Sequence, residues 1–225
     1  MSVPRPYDVI TFDCYGTLID WERGIVGAFA RAVAETGGRL DPHAVLAAYE
    51  RIEPVVEAER YRPYREVLAL TARRVAERLG WPLAAGREGF LPASLPSWPS
   101  FPDTNGALRR LAETGHRLAI LSNVDDDLLT ATRRHLDVAF DFVVTAQQVG
   151  SYKPAPAHFE AARKRIGDAR WLHLAQSYAH DIVPARRLGI ASAWINRRHE
   201  RPRGAERADV EFETLAEAAD WLTGG

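Results

Sequence analysis

A chain of 225 residues, 46% of them hydrophobic and 26% charged, is long enough for one sizeable hydrophobic core with an inserted or appended module. Its net charge of −1 gives no basis for a nucleic-acid or membrane partner, and no apolar stretch approaches the length that spans a bilayer. Residues 1–5 lack the apolar core of a signal peptide, and the single Cys14 cannot form an intrachain disulfide, so we expect a cytoplasmic protein.

The first predicted element is a buried strand that ends at a carboxylate. Val9 to Phe12 form a short apolar run, Asp13 follows it, and Gly16 lies in the turn beyond. Parallel strands buried on both faces have this composition, and open α/β sheets place their sites beyond the carboxyl ends of their strands. Asp13 is therefore a candidate nucleophile or metal ligand, with an ordinary charged loop residue as the alternative. Cys14 is expected to be a small buried filler.

The segment from Trp21 to Leu95 has helical rather than strand periodicity. Its apolar residues recur at three- and four-residue spacing in three stretches, Gly24 to Glu35, Ala44 to Arg60 and Tyr64 to Leu79. Pro54 is expected to bend or split the second of these helices. The segment is therefore predicted to be a helical insertion.

Prolines at positions 92, 96, 99 and 102 mark the end of the insertion, because such a density of proline is excluded from helices and central strands. The predicted helical domain comprises residues 20–98, and the predicted core domain comprises residues 1–19 and 99–225. Two chain crossings, one near Asp20 and one in the proline-rich segment, would join these domains. That arrangement is typical of a hinge.

From Thr104 onward, helices alternate with short apolar runs. The predicted strands are Arg117 to Leu121, Phe142 to Thr145, Trp171 to Ala175 and Ala191 to Ile195. The predicted helices are Asn105 to Thr114, Asp127 to Leu136, Ala157 to Ile166 and Ile182 to Leu188, and Val210 to Phe212 with the helix Leu215 to Leu222 closes an edge. This alternation predicts an α/β fold with a doubly wound, parallel, Rossmann-like sheet.

Polar residues follow most of the predicted strands. They are Asp13, Ser122, Asn123, Lys153, Gln176, Ser177, Tyr178, His180, Asp181 and Asn196. Because parallel strands end at the same edge of a sheet, these residues are expected to gather there. The topology therefore predicts a site at this edge.

Lysine is rare in the chain, which has it only at positions 153 and 164 and otherwise uses arginine as its cation. A compact ammonium group can enter a tight site that a guanidinium group cannot, which makes Lys153 a candidate site residue. The alternative is a solvated turn cation.

Three consecutive acids, Asp125 to Asp127, resemble a metal cluster at first sight. Because they stand just before a predicted helix, they are better interpreted as carboxylates that cap it and face the positive end of its dipole.

Four ordered motifs resemble those of the haloacid dehalogenase superfamily. They are Phe12-Asp13-Cys14-Tyr15-Gly16-Thr17-Leu18, Leu121-Ser122-Asn123, Tyr152-Lys153-Pro154 and Asp181. The match covers the sheet domain, and the helical insertion falls where that family carries its cap domain. Phosphatases of the family have a second Asp two residues after the nucleophile, where this chain has Tyr15. The pattern is similar to the L-2-haloacid dehalogenase branch, as is Trp194-Ile195-Asn196-Arg197.

The resemblance implies roles for these residues. Asp13 would attack the α-carbon of a 2-haloalkanoate and expel halide, and water would then hydrolyse the aspartyl ester. Lys153 would keep Asp13 ionised by offsetting its burial, and Asp181 would orient the water. Thr17 and Ser122 would hydrogen-bond to Asp13 or to the substrate carboxylate. The implied substrate-binding residues are Tyr15, Asn123, Gln176, Ser177 and Tyr178.

Several positions depart from the dehalogenase pattern. Gln176 and Tyr178 stand where that branch has a serine and an asparagine, and Phe159 stands where it has a tyrosine. The branch also carries a cap arginine near the halide, and the comparable place in this chain falls around Tyr49-Glu50-Arg51. The candidates for it are Arg51, Arg60, Arg62 and Arg65.

Three functions follow from these residues. The first is a hydrolase acting without a cofactor on a small molecule, a short 2-haloalkanoic acid. The second is a phosphatase of the same superfamily, with Mg²⁺ bound by Asp13 and Asp181, although two carboxylates alone would bind Mg²⁺ poorly. The third is a binding protein that has kept the fold without turnover. The oligomeric state is not encoded in any motif, and a homodimer is the commonest assembly.

Overall fold

The computed structural model describes residues 6–224, so residues 1–5, on which the absence of a signal peptide was argued, lie outside it. Two compact units make up the described chain. The sheet unit contains the residues up to Ile19, Ser100–Asn123 and the residues from Arg134 onward, and the helical unit contains Asp20–Pro99 and Val124–Arg133. Pro99 and residues 124–133, assigned to the core domain from sequence, therefore group with the helical unit. Within residues 6–224, no helix has both the length and the apolar character needed to cross a membrane.

The sheet unit is built on six parallel strands in the order β3-β2-β1-β4-β5-β6. The strands are β1 Val9–Phe12, β2 Arg117–Ser122, β3 Phe142–Thr145, β4 Trp171–Ala175, β5 Ala191–Ile195 and β6 Val210–Phe212. This is the doubly wound order, and the predicted fold class is confirmed.

Strand β1 lies at the centre, paired on one side with β2 and on the other with β4. All four of its residues are buried, as expected for a parallel strand covered on both faces. The chain reverses its direction of winding between β1 and β4, and ligands of such sheets bind where this reversal occurs. The fold therefore places the residues after β1 and β4 at the expected position of a site.

Helices pack on both faces of the sheet. They are α5 Thr104–Glu113, α7 Ala146–Val149, α8 Ala157–Ile166, the π-helical turn Tyr178–Ile182 with α9 Val183–Arg187, and α10 Leu215–Thr223. Phe159 and Ile166 of α8 pack in one cluster with Val9, Leu121 and Val144 of the strands. Each such buried side chain contributes about 1.5 to 3 kcal/mol relative to its exposed state.

The helical unit contains α1 Trp21–Ala34, α2 Pro42–Glu59, α3 Tyr64–Arg78, α4 Phe90–Ser94 and α6 Asp126–Thr132. Pro54 lies inside α2, which continues through it, so the helix is not split there, and the alternative of a bend stays a prediction. Pro54 is exposed, as is Glu50, four residues earlier in the helix, so the proline ring lies on the outer face of α2.

Two of the four prolines that were expected to exclude helix lie within short helical turns. Pro92 is part of α4, and Pro96 is in the 3₁₀ turn Leu95–Ser97. Both are in a first turn, where a missing N–H group breaks no intrahelical hydrogen bond. The proline-rich segment is therefore helical in part.

A tryptophan fixes the packing of α1 in the helical unit. The indole of Trp98 is buried against Gly24, and a Cβ atom at Gly24 would lie 2.3 Å from it. No side chain fits at position 24, so this close approach requires glycine.

The prediction that the acids Asp125 to Asp127 cap the helix that follows them is wrong for Asp125. The carboxylate of Asp125 makes no capping bond to its own helix α6. It accepts hydrogen bonds from the backbone N–H groups of Tyr64, at 2.7 Å, and Arg65, at 3.0 Å, and so caps α3. Asp127 pairs with the side chain of Arg65 at 2.5 Å. These acids hold two helices of the helical unit together.

Candidate active site

The turn after β1 folds back on Asp13. The backbone N–H of Asp13 donates to the carbonyl of Leu174 in the neighbouring strand β4, at 3.0 Å. Gly16 has a φ of 103°, in the region that favours glycine. The turn brings Thr17 beside Asp13, where its Oγ1 donates to Oδ2 of the carboxylate at 3.0 Å. Thr17 Oγ1 in turn accepts from the backbone N–H of Gln176 at 2.9 Å, which ties the turn to the end of β4.

Lys153 is fully buried, with 1% of its surface exposed, so the alternative of a solvated turn cation is wrong. Its Nζ donates to Asp13 Oδ1 at 2.9 Å, to Asp181 Oδ1 at 2.6 Å and to the carbonyl of Leu121 at 2.8 Å. An ammonium group has three N–H donors, and all of them are used. One cation therefore bridges the two carboxylates.

Asn123 fixes the backbone that carries this lysine. Its side-chain Nδ2 donates to the carbonyl of Lys153 at 3.0 Å, and its Oδ1 accepts from the N–H of Lys153 at 2.7 Å. Both polar atoms of the amide therefore position Lys153, and its predicted role in substrate binding stays a prediction.

A buried histidine completes the cluster. His173, in the middle of β4, lies 2.9 Å by its Nε2 from Oδ1 of Asp181. Its Nδ1 lies 2.8 Å from Oγ1 of Thr11, which accepts a hydrogen bond from Nε1 of Trp171 at 2.7 Å. No sequence motif singled out His173. Its signal was a titratable side chain inside an otherwise apolar strand, Trp171–Ala175.

Oδ1 of Asp181 is thus bound by both Lys153 and His173, whereas Oδ2 is buried and has no hydrogen-bond partner within residues 6–224. A buried carboxylate oxygen without a donor is unfavourable unless something else binds there.

The electrostatics of the three charged groups follow from burial and from each other. Burial acts to raise the pKa of Asp181, but Lys153 and His173 outweigh it and lower this pKa to about 2. Burial acts to lower the pKa of Lys153, and the two carboxylates outweigh it and raise the pKa. The pKa of Asp13 is raised, because burial and Asp181 together outweigh Lys153 and Thr17. Lys153 therefore offsets the burial of Asp13, as expected, but only in part.

The remaining predicted site residues have varied surroundings. Ser122 is buried, and its Oγ has no partner in the described part of the chain, so of its two expected partners Asp13 is not bound, and the bond to a substrate carboxylate stays a prediction. Ser177 Oγ accepts from the backbone N–H of His180 at 3.2 Å. Tyr178 donates its hydroxyl to the carbonyl of Glu206 at 2.9 Å.

Two further predicted site residues, Gln176 and Tyr15, lie after β4 and after β1. The backbone carbonyl of Gln176 accepts from Nε1 of Trp194 at 2.8 Å, and Tyr15 bridges to Ile19 within the turn. Substrate binding by Tyr15, Gln176, Ser177 and Tyr178 stays a prediction. Cys14 is buried, and burial raises the pKa of its thiol well above the usual value, as suits a filler.

Arg197 contacts the turn after β1 from the loop that follows β5. Its Nη2 donates to the carbonyl of Thr17 at 3.0 Å and pairs with Asp103 at 3.1 Å, and its guanidinium carbon lies 4.0 Å from the ring centroid of Phe101. Through these contacts Arg197, just after β5, holds the backbone of the turn that contains Thr17.

A divalent metal does not suit this side-chain set. In the described part of the chain, no group of three or more His, Cys, Asp or Glu side chains is placed to hold a metal ion. The position between Asp13 and Asp181 is taken by the ammonium group of Lys153. Mg²⁺ favours several hard oxygen ligands, which two carboxylates sharing a lysine do not supply.

The model of one protein family, described as haloacid dehalogenase-like hydrolase, matches residues 7–175. The chain belongs to the haloacid dehalogenase-like hydrolases. It is 27% identical over 217 residues to a (S)-2-haloacid dehalogenase of Pseudomonas sp. (strain YL), a match that covers 94% of this chain and 88% of the relative.

Solved structures share the fold of this hydrolase. The crystal structure of an L-2-haloacid dehalogenase matches with a TM-score of 0.83 and 24% identity, over 99% of each chain. The enzyme from Xanthobacter autotrophicus, with chloropropionic acid covalently bound, matches with a TM-score of 0.80 and 19% identity, over 97% of this chain and 99% of that one.

Proposed function

We propose that this hydrolase converts short 2-haloalkanoic acids into 2-hydroxyalkanoic acids, with Asp13 as the nucleophile. The observation that carries the proposal is the buried ammonium group of Lys153, which binds Asp13 and Asp181 at once. The haloacid dehalogenases among its relatives, and the covalently bound chloropropionic acid of one solved structure, support it.

In the first step, a carboxylate oxygen of Asp13 forms a bond to the α-carbon of the substrate. The carbon–halogen bond breaks, and the halide leaves with its electron pair, so an ester joins Asp13 to the substrate. Thr17 and Lys153 hold the carboxylate from opposite oxygens. This fixed orientation favours in-line attack, for which effective molarities of about 10⁵ M or more are known in well-oriented pairs.

In the second step, water attacks the carbonyl carbon of the Asp13 ester. Asp181 accepts the proton of the water, the acyl carbon–oxygen bond breaks, and the released 2-hydroxyalkanoate takes up the proton. The Asp13 carboxylate is restored with one oxygen from water. The neutral ester leaves Lys153 with Asp181 as its one anionic partner, which keeps Asp181 ionised for this step.

The chemistry proposed here needs no metal or cofactor, because a carboxylate is the nucleophile in the first step and water in the second. A nearby cation is supplied by Lys153, which is buried and fully hydrogen-bonded.

The test is halide release from L-2-chloropropionate and L-2-bromopropionate in the presence of a chelator. We expect turnover with the wild-type protein and none with Asp13→Asn. Asp8→Asn is the matched control, since Asp8 lies near the amino end of the same strand and pairs on the surface with Arg170. Digestion after turnover in ¹⁸O-water should place the label in the peptide that carries residue 13. Absence of halide release above that of Asp13→Asn would refute the proposal.

The location and assembly of the protein are also proposed. We propose a cytoplasmic homodimer, on the basis of composition and of the frequency of two-fold assemblies. We further propose that the helical unit is the cap domain of the family, since Asp20–Pro99 is inserted between β1 and β2.

A further inference from the structure

His173 is held at both ring nitrogens inside the sheet. It is fully buried, as is Thr11, which stands on the neighbouring strand β1 in register with it. The rings of His173 and Phe159 form a T-shaped pair, with their centroids 5.1 Å apart at an interplanar angle of 83°, and Phe159 offers no polar atom. The hydrogen-bond partners of the imidazole are therefore Thr11 and Asp181.

These partners define one tautomer. The indole Nε1 of Trp171 can only donate, so Thr11 Oγ1 accepts from it. The hydroxyl hydrogen of Thr11 then finds its acceptor in His173 Nδ1, at 2.8 Å. Nε2 consequently carries the ring hydrogen and donates to Oδ1 of Asp181, at 2.9 Å. In this arrangement every hydrogen along the row Trp171, Thr11, His173 and Asp181 has an acceptor.

The two carboxylate oxygens of Asp181 have different surroundings. Oδ1 accepts from His173 and Lys153, which approach from different elements of the sheet unit. Oδ2 is buried and accepts no bond from any residue in the described range 6–224. Two donors on one oxygen fix the rotation of the carboxylate and leave the other oxygen for a further donor.

We propose that His173 is a positioning residue for hydrolysis of the ester intermediate: by holding Oδ1 of Asp181, it presents Oδ2 to the attacking water. The inference rests on the proposed function, since it assigns a part in its second step. The water donates one hydrogen to Oδ2 and attacks the carbonyl carbon of the Asp13 ester. His173 touches neither substrate nor water, and it exchanges no proton in the reaction.

The kinetic test separates the two steps. In His173→Leu, Lys153 still holds Asp13, so the ester forms, but the carboxylate of Asp181 loses one of its two anchors. We expect a burst of halide equal to the enzyme concentration, ester accumulation seen by intact mass, and ester hydrolysis slowed about tenfold to a hundredfold, a part of the roughly 10²- to 10⁴-fold that base assistance supplies. In His173→Gln, an amide N–H at the place of Nε2 should restore much of the hydrolysis rate.

His116→Leu is the matched control. His116 is also a buried histidine of the sheet unit, and it lies just before β2, at the opposite end of the strands from the site. We expect it to change stability without changing the ratio of the two rates. If His173→Leu slows both steps alike, or His173→Gln is no better than His173→Leu, His173 is an ordinary core residue and the inference fails.

A second measurement needs no substrate. ¹⁵N NMR of histidine side chains in the intact protein should show His173 protonated at Nε2 and unprotonated at Nδ1, and Thr11→Val should disturb that signal. A resonance pattern with the hydrogen on Nδ1 would overturn the inference. Because this readout is independent of turnover, it distinguishes an error about His173 from a failure of the proposed dehalogenation.

Discussion

Nζ of Lys153 lies 2.9 Å from Oδ1 of Asp13, although 140 residues separate them in the chain. The lysine side chain is buried, and its other two hydrogens are bound by Asp181 and Leu121. The ammonium group thus has no free donor for substrate or solvent. In the structure this ammonium group holds the two carboxylates together.

Replacement of Lys153 by Met should be severe for stability as well as activity. Removal of one partner from a buried ion pair typically destabilises a protein by about 3 to 5 kcal/mol, because the remaining charges are left unpaired. We expect a loss of this size in the free energy of unfolding, measured in urea. Lys164→Met is the control, since the other lysine of the chain is exposed on α8. A Lys153→Met protein as stable as Lys164→Met would contradict the bridging role.

Replacement of Thr17 by Val should slow the first step. The hydroxyl donates to Asp13 Oδ2 and accepts from the N–H of Gln176, and valine keeps the shape but neither bond. A hydrogen bond to a charged group is worth about 1.5 to 3 kcal/mol, so a drop of about tenfold to a hundredfold in the rate of ester formation is expected. Thr17→Ser should retain most of the rate in single-turnover halide release. Equal rates for valine and serine would exclude this role.

Activity should fall on the acid side of neutrality at a higher pH than for an ordinary aspartate. The nucleophile is active only when ionised, and burial raises the pKa of Asp13 above its usual value. The rate therefore decreases as the pH falls through this raised pKa. The pKa of Asp181, near 2, lies well below that range, and the raised pKa of Lys153 keeps it charged on the alkaline side. The measurement is kcat/KM against pH, and an acid limb at or below the normal Asp value of about 4 would contradict it.

Replacement of Gly24 by Ala should destabilise the helical unit. The added methyl group would lie 2.3 Å from the indole of Trp98, so one of the two must shift. Overpacking of this kind typically costs about 1 to 3 kcal/mol. Gly106→Ala is the control, because nothing lies within 4 Å of a Cβ atom at Gly106 in α5, and alanine there should be neutral or stabilising. The measurement is the thermal unfolding temperature of both variants, which should fall for Gly24→Ala and not for Gly106→Ala.

The elements that could be predicted from sequence are those with local signals. Strands β1 to β5 are apolar runs of the right length, and the alternation with helices gives the parallel topology. The site motifs that carry Asp13, Lys153 and Asp181 stand beside those strands, so topology alone brings them to one edge.

What could not be predicted depends on contacts between distant parts of the chain. The hydrogen bond of Thr11 to His173 spans 162 residues, and no local pattern encodes it. The same holds for Asp125, whose carboxylate caps a helix that begins 61 residues earlier at Tyr64. Helix α2 continues through Pro54, which lies on an exposed face of the helix. The spacing of the apolar residues did not show which face that would be.

The sequence also could not predict that the pKa of Asp13 is raised rather than lowered. A motif gives the identity of the neighbouring cation, but the balance between desolvation and attraction depends on the depth of burial and on Asp181. These are properties of the folded unit.

The three charged groups of the site span residues 13 to 181 and follow three different strands of one sheet. During synthesis Asp13 emerges first, Lys153 much later, and Asp181 later still. Asp13 therefore lacks both of its charged neighbours for most of translation, and the three groups can come together only after residue 181 has been synthesised.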